Sequence, residues 1–336
     1  MTLLSDLQMP LFKNNSLIFK ILVQLTEQIC LLLLDPAKTT TNHIDLTAST
    51  GPSQCLSFLL SSLSFPMSSV RWTSAQGIAQ IVARISDNSR EMIFQILYDY
   101  LNNSKLVEQD TLHGHLLSIA ELVRKGLLFE SHLPSLISLL IKFLFFDQPQ
   151  SGKFIGSLIR DVTCFVFWCL TKMYSKHLTP FLPTLSKSFL LVSLFDREVS
   201  CRRAGSACFQ ELAGRCAGVV NGLEIITSAD FVKVRNVNHS YLIAAPELAI
   251  DYYRDVILSH LLEERIFHWD ENIRKLAADS IFKILSTVSD MDMVQNAVKH
   301  AVKHVSSGSK FNISKPHGSL ILLTSLHPLF QQIRNY

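Results

Sequence analysis

An arginine set behind a small or apolar residue recurs along this chain at a nearly fixed interval, and that interval restricts the fold more than any other feature. Val70-Arg71, Ile159-Arg160, Cys201-Arg202-Arg203-Ala204 and Ile273-Arg274 carry the pattern. His113-Gly114 and His317-Gly318 occupy the same place with histidine for arginine. The spacings are 42, 47 and 42 residues from position 71 to 202, and 43 from 274 to 317. The gap of 72 between Arg202 and Arg274 holds one degenerate unit near Asn238. A single helix pair cannot cover its own apolar face, so units of this length hide theirs by stacking.

The surrounding sequence is suited to helices. Only 12 of 336 residues are glycine and 11 proline, few enough backbone breakers to argue against a turn-rich β sandwich. Hydrophobic residues make up 48% and charged residues 18%, which excludes a disordered chain. We therefore expect an all-α, HEAT/armadillo-like α-solenoid, whose units repeat every ~40–47 residues. It reads as one continuous array over 1–336, part of a longer solenoid, with interhelical loops at 35–52 and 147–156. The net charge of +3 gives no electrostatic reason for nucleic acid binding. The seven cysteines are odd in number and lie in apolar stretches, as reduced thiols used for packing do. No early basic cluster marks a secretory signal. The best membrane-span candidate, Leu133 to Phe146, is too short and holds Pro134 and Lys142, so no membrane span is expected.

Local signals place the helices. Ser16 to Leu34 is stopped by Asp35-Pro36. Gln54 to Leu63 is a short helix, and Ser68 or Ser69 caps the next. Asn88 with Glu91 opens Glu91 to Leu101 as a capping-box variant. Arg124-Lys125-Gly126 closes another helix, Ser131 begins Leu133 to Phe146, and Thr179-Pro180 opens Phe181 to Phe195. Further helices cover Ser157 to Tyr174, Glu198 to Ala213, Leu223 to Val234, Asn238 to Ile250, Asp251 to Glu264, Glu271 to Val288, Met291 to Val305 and His317 to Ile333. No strand pair or hairpin turn stands out.

The search for catalytic chemistry is negative. Ser151-Gly152-Lys153 lacks the first glycine of a phosphate loop, and neither a G-x-S-x-G elbow nor H-E-x-x-H occurs. His300 and His304 share a helical face, but Lys299 and Lys303 adjoin them and no Glu or Cys is nearby, so they read as a solvated face. His113 and His115 point to different faces of their helix, and Cys164 and Cys169 read as core. No cofactor or metal is expected. The candidate protein-binding residues are Arg71, Trp72, Arg202, Arg203 and Trp269, because exposed Trp and Arg anchor interfaces. Arg160 with Asp161, Asp196 before Arg202, and Asp270 before Arg274 are expected to form an inter-repeat ladder. As exposed ion pairs they would contribute ~1 kcal/mol or less each.

Several long segments resemble one family. Val70-Arg71-Trp72-Thr73-Ser74-Ala75-Gln76-Gly77-Ile78, Cys201-Arg202-Arg203-Ala204-Gly205-Ser206-Ala207-Cys208-Phe209-Gln210-Glu211, and His268-Trp269-Asp270 with Ile273-Arg274 and Leu276-Ala277-Ala278 resemble segments of tubulin-specific chaperone D, also called tubulin-folding cofactor D. His113-Gly114, Ala120-Glu121-Leu122, Gly126-Leu127-Leu128 and Arg160-Asp161 fall in the same order. The likeness covers about residues 14–330 of a family whose members are much longer. Gln76 and Ala79 depart from its usual Lys and Gly.

This resemblance implies a binding scaffold without an active site of its own. Such a scaffold captures β-tubulin and, with cofactors E and C, assembles the αβ-tubulin heterodimer. It also implies stimulation of GTP hydrolysis by tubulin, binding of an Arf-like small GTPase, and a cytoplasmic location at the microtubule cytoskeleton. The alternative is a generic HEAT-repeat transport adaptor, against which the near-neutral charge argues. An enzyme is the third reading.

Overall fold

The structure is a computed structural model that describes residues 15–34, 50–103, 108–150, 153–288, 290–305 and 313–334. The chain forms two compact units that divide between Leu178 and Thr179. The fold is an all-α solenoid of stacked helices.

The first unit holds α1 (Ser16–Leu33), α2 (Thr50–Ser62), α3 (Ser68–Val82), α4 (Asp87–Asn103), α5 (Gln109–Arg124), α6 (Leu133–Leu144) and α7 (Ser157–Tyr174). Helices α1, α3, α5 and α7 form one row of neighbours, and α2, α4 and α6 form a second layer upon it. Helix α5 is the centre of this unit: every residue from Thr111 to Val123 is buried. Its end follows the sequence signal. Gly126 has a positive φ of 68°, Leu127 N–H donates to Leu122 C=O and Gly126 N–H to Val123 C=O, the paired bonds of a Schellman cap.

The second unit runs through α8 (Leu182–Phe195), α9 (Val199–Arg215), α10 (Gly222–Ser228), α11 (237–248), α12 (251–265), α13 (Glu271–Thr287), α14 (Met291–Val305) and α15 (Ser314–Arg334). Helices α11 and α12 contain π-helical turns at Ser240–Ala244 and Leu261–Arg265. Helix α13 packs on α11, α12 and α15, and α8 on α9.

Long-range side-chain hydrogen bonds measure the repeat directly. Glu91 with His132, Gln80 with Lys125, Leu128 with Tyr174, Leu242 with Lys283 and Asp279 with Ser325 span 41, 45, 46, 41 and 46 residues. Bonds from Arg202 and Tyr253 span only 32 and 33 residues. They fall where the sequence leaves room for a shorter, degenerate unit.

Several boundaries differ from the sequence reading. Of the loop expected over 35–52, residues 35–49 lie outside the described residues, while Thr50, Gly51 and Pro52 begin α2; proline costs nothing where the N–H would be unbonded. Helix α3 starts at Ser68 with Met67 as its N-cap and no side-chain cap bond. Helix α4 begins at Asp87, because Ser86 Oγ accepts from Ser89 N–H and caps it. The loop at 147–156 contains a short hairpin, β1 (Gln148–Gln150) paired antiparallel with β2 (Lys153–Ile155). Two three-residue strands carry too little periodicity to be read from sequence. Among the described residues, α1 is a single helix long and apolar enough to cross a membrane, and the segment 133–146 is not. His300 and His304 are half-buried against the Phe267 ring, at 5.8 and 4.9 Å between centroids, rather than solvated. All seven cysteines are buried.

Candidate functional site

Arg71, Arg160, Arg202 and Arg274 are each the fourth residue of their helix: α3, α7, α9 and α13. From that position the guanidinium can fold back over the turn that leads into the helix. Arg71 Nη1 donates to the carbonyls of Phe65 and Pro66, both at 2.8 Å. Arg202 Nη1 donates to Asp196 and Arg197, at 2.8 and 3.1 Å. Arg274 Nη1 donates to His268 and Trp269, at 2.7 and 2.9 Å. In all three cases the acceptors lie six and five residues upstream. The planar five-donor fork of arginine suits this task, and a lysine ammonium does not.

The opposite edge of the fork reaches the next unit. Arg71 Nε donates to His113 Nδ1 at 3.1 Å, and Arg274 Nε to His317 Nδ1 at 3.2 Å. Arg202 meets no histidine; its Nε and Nη2 donate to the carbonyls of Val234 and Arg235, at 2.7 and 3.0 Å. The histidines that take the place of arginine in the sequence are thus acceptors for the preceding arginine. The glycine behind each permits the approach. A Cβ on Gly114 would lie 2.0 Å from the Leu63 carbonyl oxygen, and one on Gly318 would lie 1.7 Å from that of Ile266.

These contacts revise the roles expected from sequence. Arg71, Arg160, Arg202 and Arg274 are 1%, 4%, 3% and 7% exposed, so Arg71 has almost no surface left for a partner, and Arg202 reaches the surface only where it borders the cavity beside Trp269. The acids near them serve the helix starts: Asp196 Oδ1 accepts from Glu198 N–H, and Asp270 Oδ1 accepts from Asn272 N–H to cap α13. Arg71 additionally donates to Asp110 Oδ1 at 2.7 Å, and Arg160 donates to the Phe146 carbonyl at 2.8 Å, with Asp147 at 3.5 Å. Asp161 is exposed on α7. Arg203 is half-buried with its guanidinium 4.6 Å from the Phe231 ring centre.

Burial sets the protonation of the histidines. It pushes His113 down to about 4, with the Arg71 cation adding to the effect. It pushes His268 down to about 4 as well, aided by Arg265. His115 and His260 are lowered by the same cause. These rings are neutral in the fold and bind protons near pH 6.5 when the chain unfolds. The stability they permit is present above about pH 6.5 and is lost as pH falls toward 4. Thermal melting across that range should show a falling midpoint with proton uptake on unfolding. A midpoint flat from pH 6.5 to 4 would contradict this assignment.

The exposed surface is elsewhere. Trp72 on α3 is 39% exposed, and its ring centre lies 5.4 Å from that of Phe165 on α7. Those two helices flank α5, so the rings meet over the buried helix. Phe165 is 6.2 Å from Trp168, and Lys172 Nζ sits 3.8 Å over the Trp168 ring. Exposed Leu158 and Met173 extend this ridge along α7. Sequence reasoning singled out Trp72 but missed Phe165, Trp168 and Lys172. Their 165-168-172 spacing was available as a signal, with Asp161 on the same face, yet Phe165 and Trp168 are themselves apolar and read as core in so apolar a helix.

Trp269, 51% exposed, belongs to the second unit. It borders an open cavity of about 630 Å³ together with Arg197, Arg202, Asn238, His268 and Lys275. Among the described residues no three metal-ligating side chains converge.

The model of a family described as tubulin-specific chaperone D-like, ARM repeats, matches residues 19–223. Tubulin-specific chaperone D of Dictyostelium discoideum is 36% identical over 261 residues, covering 73% of this chain and 18% of that protein. Tubulin-folding cofactor D of Schizosaccharomyces pombe is 29% identical over 238 residues, covering 67% of this chain and 21% of that protein. The chain therefore spans about a fifth of the length of these relatives. Among solved structures, the archaeal HEAT-like repeats protein of Thermococcus onnurineus NA1 aligns over 92% of this chain and 97% of its own, with 14% identity and a TM-score of 0.31, too distant to argue from. With a family match over most of the first unit and into the second, and arginine rungs at the repeat period, the chain belongs to the tubulin-specific chaperone D-like ARM-repeat family.

Proposed function

We propose that this chain is a segment of a tubulin-folding scaffold, and that the Trp72–Phe165–Trp168 ridge is its capture surface for β-tubulin. What carries the reading is an exposed aromatic ridge inside the residues matched to the family. Large aromatic side chains that remain half-exposed on a rigid frame supply contact area at little conformational cost. The chain acts by binding rather than by chemistry of its own. Any GTP hydrolysis it promotes occurs on tubulin, within a complex that includes cofactors E and C. An Arf-like small GTPase is a further partner, and the setting is the cytoplasm at the microtubule cytoskeleton. Trp269 and Arg203 are secondary contact candidates in the second unit.

The test is retention of purified αβ-tubulin by the immobilised 336-residue chain, with isolated cofactor E in a parallel arm. The double variant Trp72→Ala, Trp168→Ala is expected to weaken tubulin retention about tenfold or more with helicity unchanged. Equal retention by the variant would remove the ridge from the interface. A well-folded parent chain that retains no tubulin would place the capture surface outside this segment.

A further inference from the structure

The cavity beside Trp269 has a lining whose hydrogen bonding is incomplete. Its walls come from around the starts of α9, α11 and α13, all in the second unit. Helices α11 and α13 pack against each other, and each brings its second residue to the cavity, Asn238 and Asn272. The local build is the same in both. Asn236 Oδ1 accepts from Asn238 N–H at 3.0 Å, and Asp270 Oδ1 accepts from Asn272 N–H at 2.9 Å. The caps thus hold the backbone of each asparagine and leave its side chain unused. Both residues are exposed, and among the described residues neither side-chain amide makes a hydrogen bond. His268 adds a third group. Its Nδ1 accepts from Asp270 N–H at 3.1 Å, so the neutral ring carries its proton on Nε2. Among the described residues that buried Nε2 has no acceptor, a state rare in folded proteins.

The charges of the lining, by contrast, are answered within the chain. Arg197 Nε donates to Glu198 Oε1 at 3.2 Å, and Lys275 Nζ to Glu271 Oε1 at 2.6 Å. Arg202 donates to four backbone carbonyls. This arrangement does not suit a phosphate or carboxylate ligand, which needs charge-assisted donors of its own. It suits a neutral chain of amides, set alongside apolar Val237, Ile273 and Leu276 and the half-exposed Trp269 ring. A side-chain amide has both the donor and the acceptor of a peptide unit, so it can bond to each along an extended backbone. Packed helices lie roughly 8–10 Å apart, which spans about three residues of extended chain. We propose that this cavity binds an extended polypeptide segment, with Asn238 and Asn272 bonded to its backbone and one large apolar side chain laid against Trp269. A carbonyl of that segment reaching the His268 ring supplies the acceptor that Nε2 lacks. The site does not rest on the tubulin reading of the ridge in the first unit, so either can fail alone.

A phage-displayed library of random peptides, panned on the intact chain and counter-panned on its Trp269→Ala variant, should yield peptides that carry a large apolar residue. Synthesised and titrated, these peptides should shift the tryptophan emission of the parent chain. Asn238→Ala and Asn272→Ala should each weaken their binding about tenfold. Both asparagines are exposed and their capped N–H groups survive the change, so circular dichroism should show the variants folded. Methylating single backbone nitrogens of a peptide, with its side chains unchanged, should abolish binding at the positions that face the asparagines. Binding should persist in high salt. A library that yields no peptide separating the parent from Trp269→Ala would overturn the proposal. So would binding indifferent to both asparagine variants and to N-methylation. Binding confined to acidic peptides and lost in high salt would also overturn it, and would assign the cavity to an anion held by Arg197 and Lys275.

Discussion

Replacing Arg274 with alanine is expected to destabilise the second unit by roughly 3 kcal/mol or more. The sequence, read as an exposed ion-pair ladder, predicts about 1 kcal/mol or less. The difference follows from burial. Arg274 is 7% exposed and donates to two carbonyls and to His317 Nδ1. Truncation would leave those acceptors inside the protein without a donor, and each unsatisfied group carries its full desolvation penalty. Arg274→Lys should recover little, since one ammonium cannot serve the turn behind and the histidine ahead together. Denaturant melting of the intact chain, followed by helicity, checks this. A loss near 1 kcal/mol would return Arg274 to the role of a surface pair. Arg71, with four acceptors, should behave alike in the first unit.

Gly114→Ala is expected to be nearly as damaging, at ~3 kcal/mol, the upper end for an added methyl in a packed interior. The new Cβ would sit 2.0 Å from a backbone oxygen at Leu63. Backbone cannot swing aside as a side chain can, so α5 must move away and His113 must leave Arg71. Gly214 provides the opposite sign. It lies within α9 and a Cβ there would meet nothing within 4 Å. Gly214→Ala should therefore stabilise by ~0.5–1 kcal/mol through helix propensity and lost chain entropy. The pair is measured in one denaturation series. Equal effects at the two glycines would refute the close-approach explanation.

The repeat was legible in the sequence because its fixed points are chemically rare. A buried arginine needs many acceptors and can sit in few places, so its recurrence marks units even where the apolar residues drift. The His113-Gly114 and His317-Gly318 pairs were visible as members of the series, but their role as acceptors was not. That role depends on a helix one repeat away. The burial of Arg71 was hidden for the same reason, since sequence does not reveal which side of a helix its neighbours leave open. Trp72 was found because tryptophan draws notice singly. Phe165 and Trp168 were hidden among the apolar residues of α7, and only the gap over α5 distinguishes them. The start of α4 was misplaced by a few residues because Ser86, rather than Asn88, wins the competition to cap it.

The hairpin between α6 and α7 shows where this architecture accepts added length. In three units the arginine takes a carbonyl six residues upstream. Arg160 takes that of Phe146, fourteen residues upstream, an excess of eight. The hairpin from Gln148 to Ile155 is eight residues long, and its first and last residues pair with each other. It leaves the frame and returns to the point of departure, so the arginine still finds its acceptor. A foreign peptide spliced into this hairpin would inherit the same closed ends. The other three turns offer no such latitude, since one residue more or less between positions 65 and 71, 196 and 202, or 268 and 274 would carry the carbonyl out of reach. Natural insertions and engineered tags alike should gather at the hairpin and avoid those turns.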